Sequence, residues 1–240
     1  MKRRIVISGG AYLEVWRPDQ VGLRGEIGMS EYTIHEHSHR FAVWAAGRAY
    51  SRGGEGGGYT VSNARLMLEA AGLRGIKTVD DLPEASQIDS FLNGLITGVI
   101  NARPRTYTQT IPKKGDVPAT KVERTFICSY GRAQKLVNIY LKSKIICAGA
   151  PSGDSRIAKL HPPLDMQLLV ALDKLDSKKL GAERYERFRK AWNTARSMGT
   201  SWTDFDKATY DAHIEAIKEL QDKSPLWAVE EHWMSEKKSE

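Results

Sequence analysis

The sequence predicts a mainly α-helical fold, and three observations carry that prediction. Apolar residues recur at helical spacing along most of the chain, as at Ile88, Phe91, Leu92, Leu95, Ile96 and Val99. Helix-start and helix-stop chemistry brackets such runs, with Thr33 and Asp206 ahead of two of them and Gly72 behind another. Strand signals are few. At 240 residues, 41% hydrophobic and 27% charged, the chain has an ordinary globular composition and enough length for one substantial core. A single compact domain is expected, with two helical lobes over 30–128 and 129–240 and a flexible glycine-rich loop at 52–58.

Taken in order, residues 4–7 and 11–16 predict a short N-terminal strand pair turning at Gly9-Gly10. Residues 18–28 read as loop. Thr33-x-x-Glu36 resembles a capping box and predicts a helix over 34–50. That helix is expected to bury Phe41, Trp44, Ala45 and Ala49 and to expose Arg40, Arg48 and Arg52. The loop at 52–58 holds five glycines and lacks the Lys-Ser/Thr ending of a phosphate-binding P-loop. A helix over 61–71 ends at Gly72, and a second covers 86–102. Residues 104–119 read as a basic loop, flanked by Arg103 and carrying Arg105, Lys113 and Lys114. Further helices are expected over 129–147, 163–175, 183–197 and from Thr203-x-x-Asp206 to Leu220. They bury Phe188, Trp192, Ala195, Tyr210, Ile214 and Ile217. Trp227 and Trp233 pin the C-terminal stretch to the core. No internal repeat is present.

The net charge of +7 favours a polyanionic partner, because each neutralised phosphate releases counterions. Cys128 and Cys147 lack the spacing of a zinc site or a disulfide framework, which fits a reducing, cytoplasmic location. The apolar run after Met1-Lys2-Arg3-Arg4 is too short for a signal peptide, and no stretch is long enough to span a membrane.

The densest chemistry lies in residues 130–172. Pro162-Pro163 is expected to start a helix, with proline at the first helical position and Asp165 in the first turn. A carboxylate there caps free amides and is favoured by the helix dipole. The same rigid carboxylate can stabilise positive charge developing at a sugar carbon. Lys135, Asn138 and Lys142 share one face of the preceding helix, opposite Leu136, Val137, Tyr140 and Leu141. That face is either a solvated basic stripe or a grip on DNA phosphates, and a buried lysine in it has the makings of an amine nucleophile.

Gly131-Arg132-Ala133-Gln134-Lys135 opening a helix, then a loop, then Pro163-Leu164-Asp165 opening an apolar helix, resembles the helix-hairpin-helix DNA glycosylases. Among them are endonuclease III and the 8-oxoguanine glycosylases, with the archaeal 8-oxoguanine branch nearest in its lysine-to-aspartate spacing. The resemblance implies a two-lobed all-α fold around a DNA-binding cleft, with base flipping and scission of the N-glycosidic bond. It implies Asp165 as the essential carboxylate and Lys135 as the lysine that forms a Schiff base in bifunctional members. Gly131, Arg132, Asn138, Lys142, Arg156 and His161 are then expected on DNA. Trp44, Tyr107 and His39 become the wedge or base pocket. Double-stranded DNA is the partner, with no metal or organic cofactor and no obligate protein partner. Where the family hairpin carries Gly-x-Gly, this chain reads Cys128-Ser129-Tyr130-Gly131, and it lacks cysteines for an iron–sulfur cluster. Removal of a modified base from phage DNA, as a defence, is one role such an enzyme fills.

Other readings stay open at this stage. His35-Glu36-His37-Ser38-His39 matches the H-E-x-x-H pattern, which on a helix places two imidazoles on one face for zinc with Glu36 as general base. Arg156-x4-His161 has the Arg/His spacing of HEPN-type ribonucleases. A protein that binds nucleic acid without turnover is a further alternative.

Overall fold

A computed structural model describes residues 5–6, 12–13, 32–50, 59–102, 106–113, 115, 118–125 and 128–233. The chain forms two compact units, Met1–Thr33 and Ile34–Glu240. In the first, β1 (Ile5–Val6) and β2 (Tyr12–Leu13) pair antiparallel, Ile5 opposite Leu13, as the strand prediction has it. The expected loops at 18–28 and 52–58, Arg52 and the Gly9-Gly10 turn lie outside the described residues.

The second unit is mainly helical. Its helices are α1 (Ile34–Ala49), α2 (Val61–Ala70), α3 (Ile88–Asn101), α4 (Tyr130–Leu141), α5 (Ser155–Ala158), α6 (Met166–Asp173), α7 (Ser177–Leu180), α8 (Ala182–Met198) and α9 (Lys207–Gln221). A π-helical turn, Lys142–Ile146, extends α4, and a 3-10 segment, Leu226–His232, follows α9. Helix α4 lies at the centre, packed against α1, α2, α3 and α9. It therefore touches elements from both sides of the expected 128/129 lobe boundary.

Local chemistry explains the helix ends. The Thr60 side chain accepts from Asn63 N to start α2, and Gly72, at φ +87°, provides the left-handed residue after it. Asp206 caps α9 by accepting from Thr209 N. Helix α3 buries Ile88, Leu92, Leu95, Ile96 and Val99, the face its periodicity predicts.

Two expectations are corrected. Helix α1 buries His39, Ala42, Val43, Ala46 and Gly47, whereas Phe41 and Trp44 are more than half exposed, at 56% and 54%. The cause is close approach: a Cβ on Gly47 would stand 2.9 Å from the Val61 Cα. Only a face of small side chains lets α1 sit that near α2. The second correction is at 104–119. Instead of a loop, β3 (Thr106–Ile111) pairs antiparallel with β4 (Thr120–Thr125), and this ribbon joins α3 to α4.

Among the described residues, no helix is long and apolar enough to cross a membrane.

Candidate active site

Helix α4 positions the first half of the site. Ser129 caps it, accepting from Arg132 N at 3.2 Å, and the Gly131 amide donates to the Phe205 carbonyl at 3.0 Å. Every residue from Gly131 to Asn138 is buried, so the polar ones must find partners inside the protein. The expected solvated basic face is therefore absent. The Arg132 guanidinium donates to the Tyr50 carbonyl at 3.2 Å and lies 4.1 Å from the Tyr59 ring centroid. Asn138 donates within a cluster formed by Gln134 Oε1, the Pro162 carbonyl and the Tyr210 hydroxyl. Neither side chain, nor the Gly131 amide, is turned outward to a phosphate.

Lys135 comes from the same helix and is 7% exposed. Its Nζ lies 3.3 Å from Asp165 Oδ2 and 4.4 Å from the Trp202 ring centroid. Burial pushes the Lys135 ammonium below the ordinary lysine range, and the Asp165 carboxylate opposes that shift without cancelling it.

Asp165 is the N-cap of α6, and the first helical residue is Met166, so Pro163 lies before the helix and not at its first position. The two carboxylate oxygens have different tasks. Oδ1 accepts from Leu168 N at 2.9 Å, closing the helix start. Oδ2 faces Lys135.

A hydrogen-bonded clamp sets this distance. The buried Gln134 amide donates from Nε2 to the Leu164 carbonyl at 2.8 Å, and its Oε1 accepts from Leu164 N at 3.2 Å. Gln134 precedes Lys135, and Leu164 precedes Asp165. Fixing one pair of backbone neighbours fixes the other.

The pair opens on a cavity of about 260 Å³ whose lining includes Ala49, Lys135, Lys142, Asp165, Glu230 and Trp233. Lys142 and Glu230 form a second ion pair there. Burial pushes the Glu230 carboxyl above the ordinary carboxylate range, against the pull of Lys142. The Trp233 indole donates to Gln167, which pins the ring at the rim. Sequence reasoning gave Trp233 a place on the core but no share in the site, and it missed Glu230, Trp202 and Gln134. An acidic residue between two tryptophans was the one available signal for Glu230.

The remaining candidates lie elsewhere. His161 is buried, with Nδ1 2.9 Å from the Tyr210 hydroxyl and Nε2 3.0 Å from Asp89. The His161 hydrogen bond holds the Asp89 carboxyl well below its usual range, with help from Lys218. Arg156 forks onto Asp154, and it also reaches Asp80 at 3.5 Å. Each of these two residues is thus engaged with partners of its own, His161 inside the fold and Arg156 at the surface. His39 joins Tyr140 at 2.8 Å and Glu69 at 2.9 Å, so both ring nitrogens are committed inside the fold and the side chain is no part of a base pocket. His35 is exposed and His39 buried, and among the described residues no group of three or more His, Cys, Asp or Glu side chains is placed to hold a metal ion. Trp44 packs beside Phe41 on the outer face of α1, with centroids 6.0 Å apart. Tyr107 stands in β3 opposite Arg124.

Comparison with protein-family models, curated protein sequences and solved structures returned no match.

Proposed function

We propose that this chain is a DNA glycosylase of the helix-hairpin-helix kind, which flips a modified base out of the duplex and leaves an abasic site. One observation carries the reading. Lys135 Nζ and Asp165 Oδ2, 30 residues apart in sequence, meet at 3.3 Å on the wall of a cavity. The cavity, about 260 Å³, is smaller than the roughly 300–1,000 Å³ typical of drug-sized ligand sites, which suits a single base or sugar.

In this mechanism the C1′–N bond of the flipped nucleotide breaks with its electron pair passing to the base nitrogen, which takes a proton from solvent. Positive charge grows on C1′ and O4′, and the Asp165 carboxylate stabilises it. Water then adds to C1′ and releases a proton. In the bifunctional variant the Lys135 amine bonds to C1′ and loses a proton, and O4′ leaves to give an imine. Burial favours the amine form that this route needs. Trp44 is the wedge candidate, an indole more than half exposed on the outer face of α1. A base modified in phage DNA is a natural target, which would make the enzyme a defence factor.

The test is an abasic-site assay on duplexes carrying oxidised, deaminated, alkylated or glucosylated bases. Asp165→Asn should lower excision by at least about 100-fold and leave duplex binding intact. Excision at the wild-type rate in that variant would overturn the reading. Borohydride trapping of a Lys135-dependent covalent adduct separates the imine route from the water route.

A further inference from the structure

The β3–β4 ribbon is the least integrated element of the second unit. Each strand has six residues, and the two pair only with each other among the described residues. Every side chain described on residues 106–124 is exposed except that of Val122, which is half-buried. Among the residues whose burial is described, none in either strand belongs to the buried core. A two-stranded ribbon alone is marginally stable in water, and packing against another surface is what stabilises it.

Its composition says which surface. Residues 103–125 contain six basic residues, Arg103, Arg105, Lys113, Lys114, Lys121 and Arg124, against Asp116 and Glu123. That surplus of four is more than half of the chain's net +7. The register places Tyr107 opposite Arg124, Gln109 opposite Val122 and Ile111 opposite Thr120 on one face. Thr106, Thr108 and Thr110 fall on the other, opposite Thr125, Glu123 and Lys121. Threonine hydroxyls and lysines suit phosphate oxygens, and arginine and glutamine suit the edges of guanine and adenine.

We propose that this ribbon is a DNA-binding arm that lies in the major groove. The dimensions agree. Two strands about 4.8 Å apart, with their side chains, fill a groove roughly 12 Å wide. Six residues at about 3.4 Å each give an arm of about 20 Å, or about six base pairs. Lys121 and the tip residue Lys113 meet the flanking phosphates, and the face with Arg124 meets the bases. The inference shares the DNA partner of the proposed function but none of its catalytic residues.

The test measures binding and excision separately on the full chain. Fluorescence anisotropy with a mixed-sequence duplex would compare wild type, Lys113→Ala/Lys121→Ala, and a variant with residues 106–125 replaced by a Gly-Ser linker, each checked for an unchanged melting temperature. The double variant should bind at least about 10-fold more weakly at moderate salt, and its slope of log K against log salt should be shallower by about two. Guanine N7 protection from methylation in the wild-type complex should vanish with the linker. Unchanged affinity and slope in both variants overturn the arm. So does a wild type that binds no duplex at low salt, or one in which the ribbon captures a protein strand along its open edge. Lost binding in the ribbon variants, together with full excision by Asp165→Asn, would leave the arm standing and remove the glycosylase reading. Full excision and binding in the ribbon variants would do the reverse.

Discussion

Asp165 shows how one side chain holds two positions at once. Its Oδ1 closes the first turn of α6 and its Oδ2 faces the Lys135 ammonium. Both Asp165→Asn and Asp165→Ala remove the charge beside Lys135, but asparagine is as good an N-cap as aspartate and alanine is a poor one. The stability difference between the two variants therefore isolates the cap. Denaturant unfolding should place Asp165→Ala about 1 kcal/mol below Asp165→Asn. Equal stabilities would mean that the Leu168 amide is satisfied without the side chain. The sequence located Asp165 at a helix start and Lys135 on the preceding helix. It could not reveal that Arg132 and Asn138 point inward, because a basic residue on a helix normally marks the solvated side. Here α4 is covered on all sides, so its charges are absorbed by ring faces and carbonyls.

At the scale of elements, a missing side chain lets α4 sit against residues 202–205. A Cβ on Gly131 would stand 1.8 Å from the Trp202 carbonyl oxygen, and the Gly131 amide already bonds the Phe205 carbonyl. Gly131→Ala would force α4 away from residues 202–205 and break that bond. A loss of at least about 3 kcal/mol is expected, at the upper end of overpacking costs, read as a lower urea midpoint. Unaltered stability would show that the 202–205 segment yields. The elements that the sequence disclosed are those whose burial is one-sided: α8 and α9 bury the residues their periodicity picks out, and α3 does so except for the partly buried Phe91. The ribbon escaped because both of its faces stay exposed, so the apolar alternation that betrays a half-buried strand never arises. The buried face of α1 escaped for a different reason. The expected face holds Phe41, Trp44, Ala45 and Ala49, and the helix instead turns Ala42, Ala46 and Gly47 inward to approach α2.

At the scale of the whole molecule, the acid limb of stability should carry the mark of His213. This histidine is fully buried, with its ring stacked on Phe205 at 4.5 Å and meeting Trp192 edge-on at 5.3 Å. Nδ1 donates to the Thr209 carbonyl, and Nε2 has no hydrogen-bond partner. Burial pushes its pKa below the ordinary imidazole value. Below about pH 6.5 the unfolded chain takes up a proton at this position and the folded chain does not. Stability therefore falls as pH drops from about 6.5 toward the lower folded value, and it is fully present above that window. Melting temperatures from pH 7.5 to 5 should decline less steeply in His213→Phe than in wild type, and parallel profiles would place the acid sensitivity elsewhere.

The clamp between Gln134 and Leu164 also bears on the order in which the molecule assembles. Its two residues are 30 apart in the chain. Closing a loop of that length costs on the order of 3 kcal/mol, with only a slow increase for longer ones. Glu230 and Trp233, which line the cavity, and Trp202, whose ring lies beside Lys135, follow Asp165 in sequence. On a ribosome, Lys135 and Asp165 have emerged before the residues that will shelter them. The Lys135–Asp165 pair is therefore synthesised before part of its own shelter.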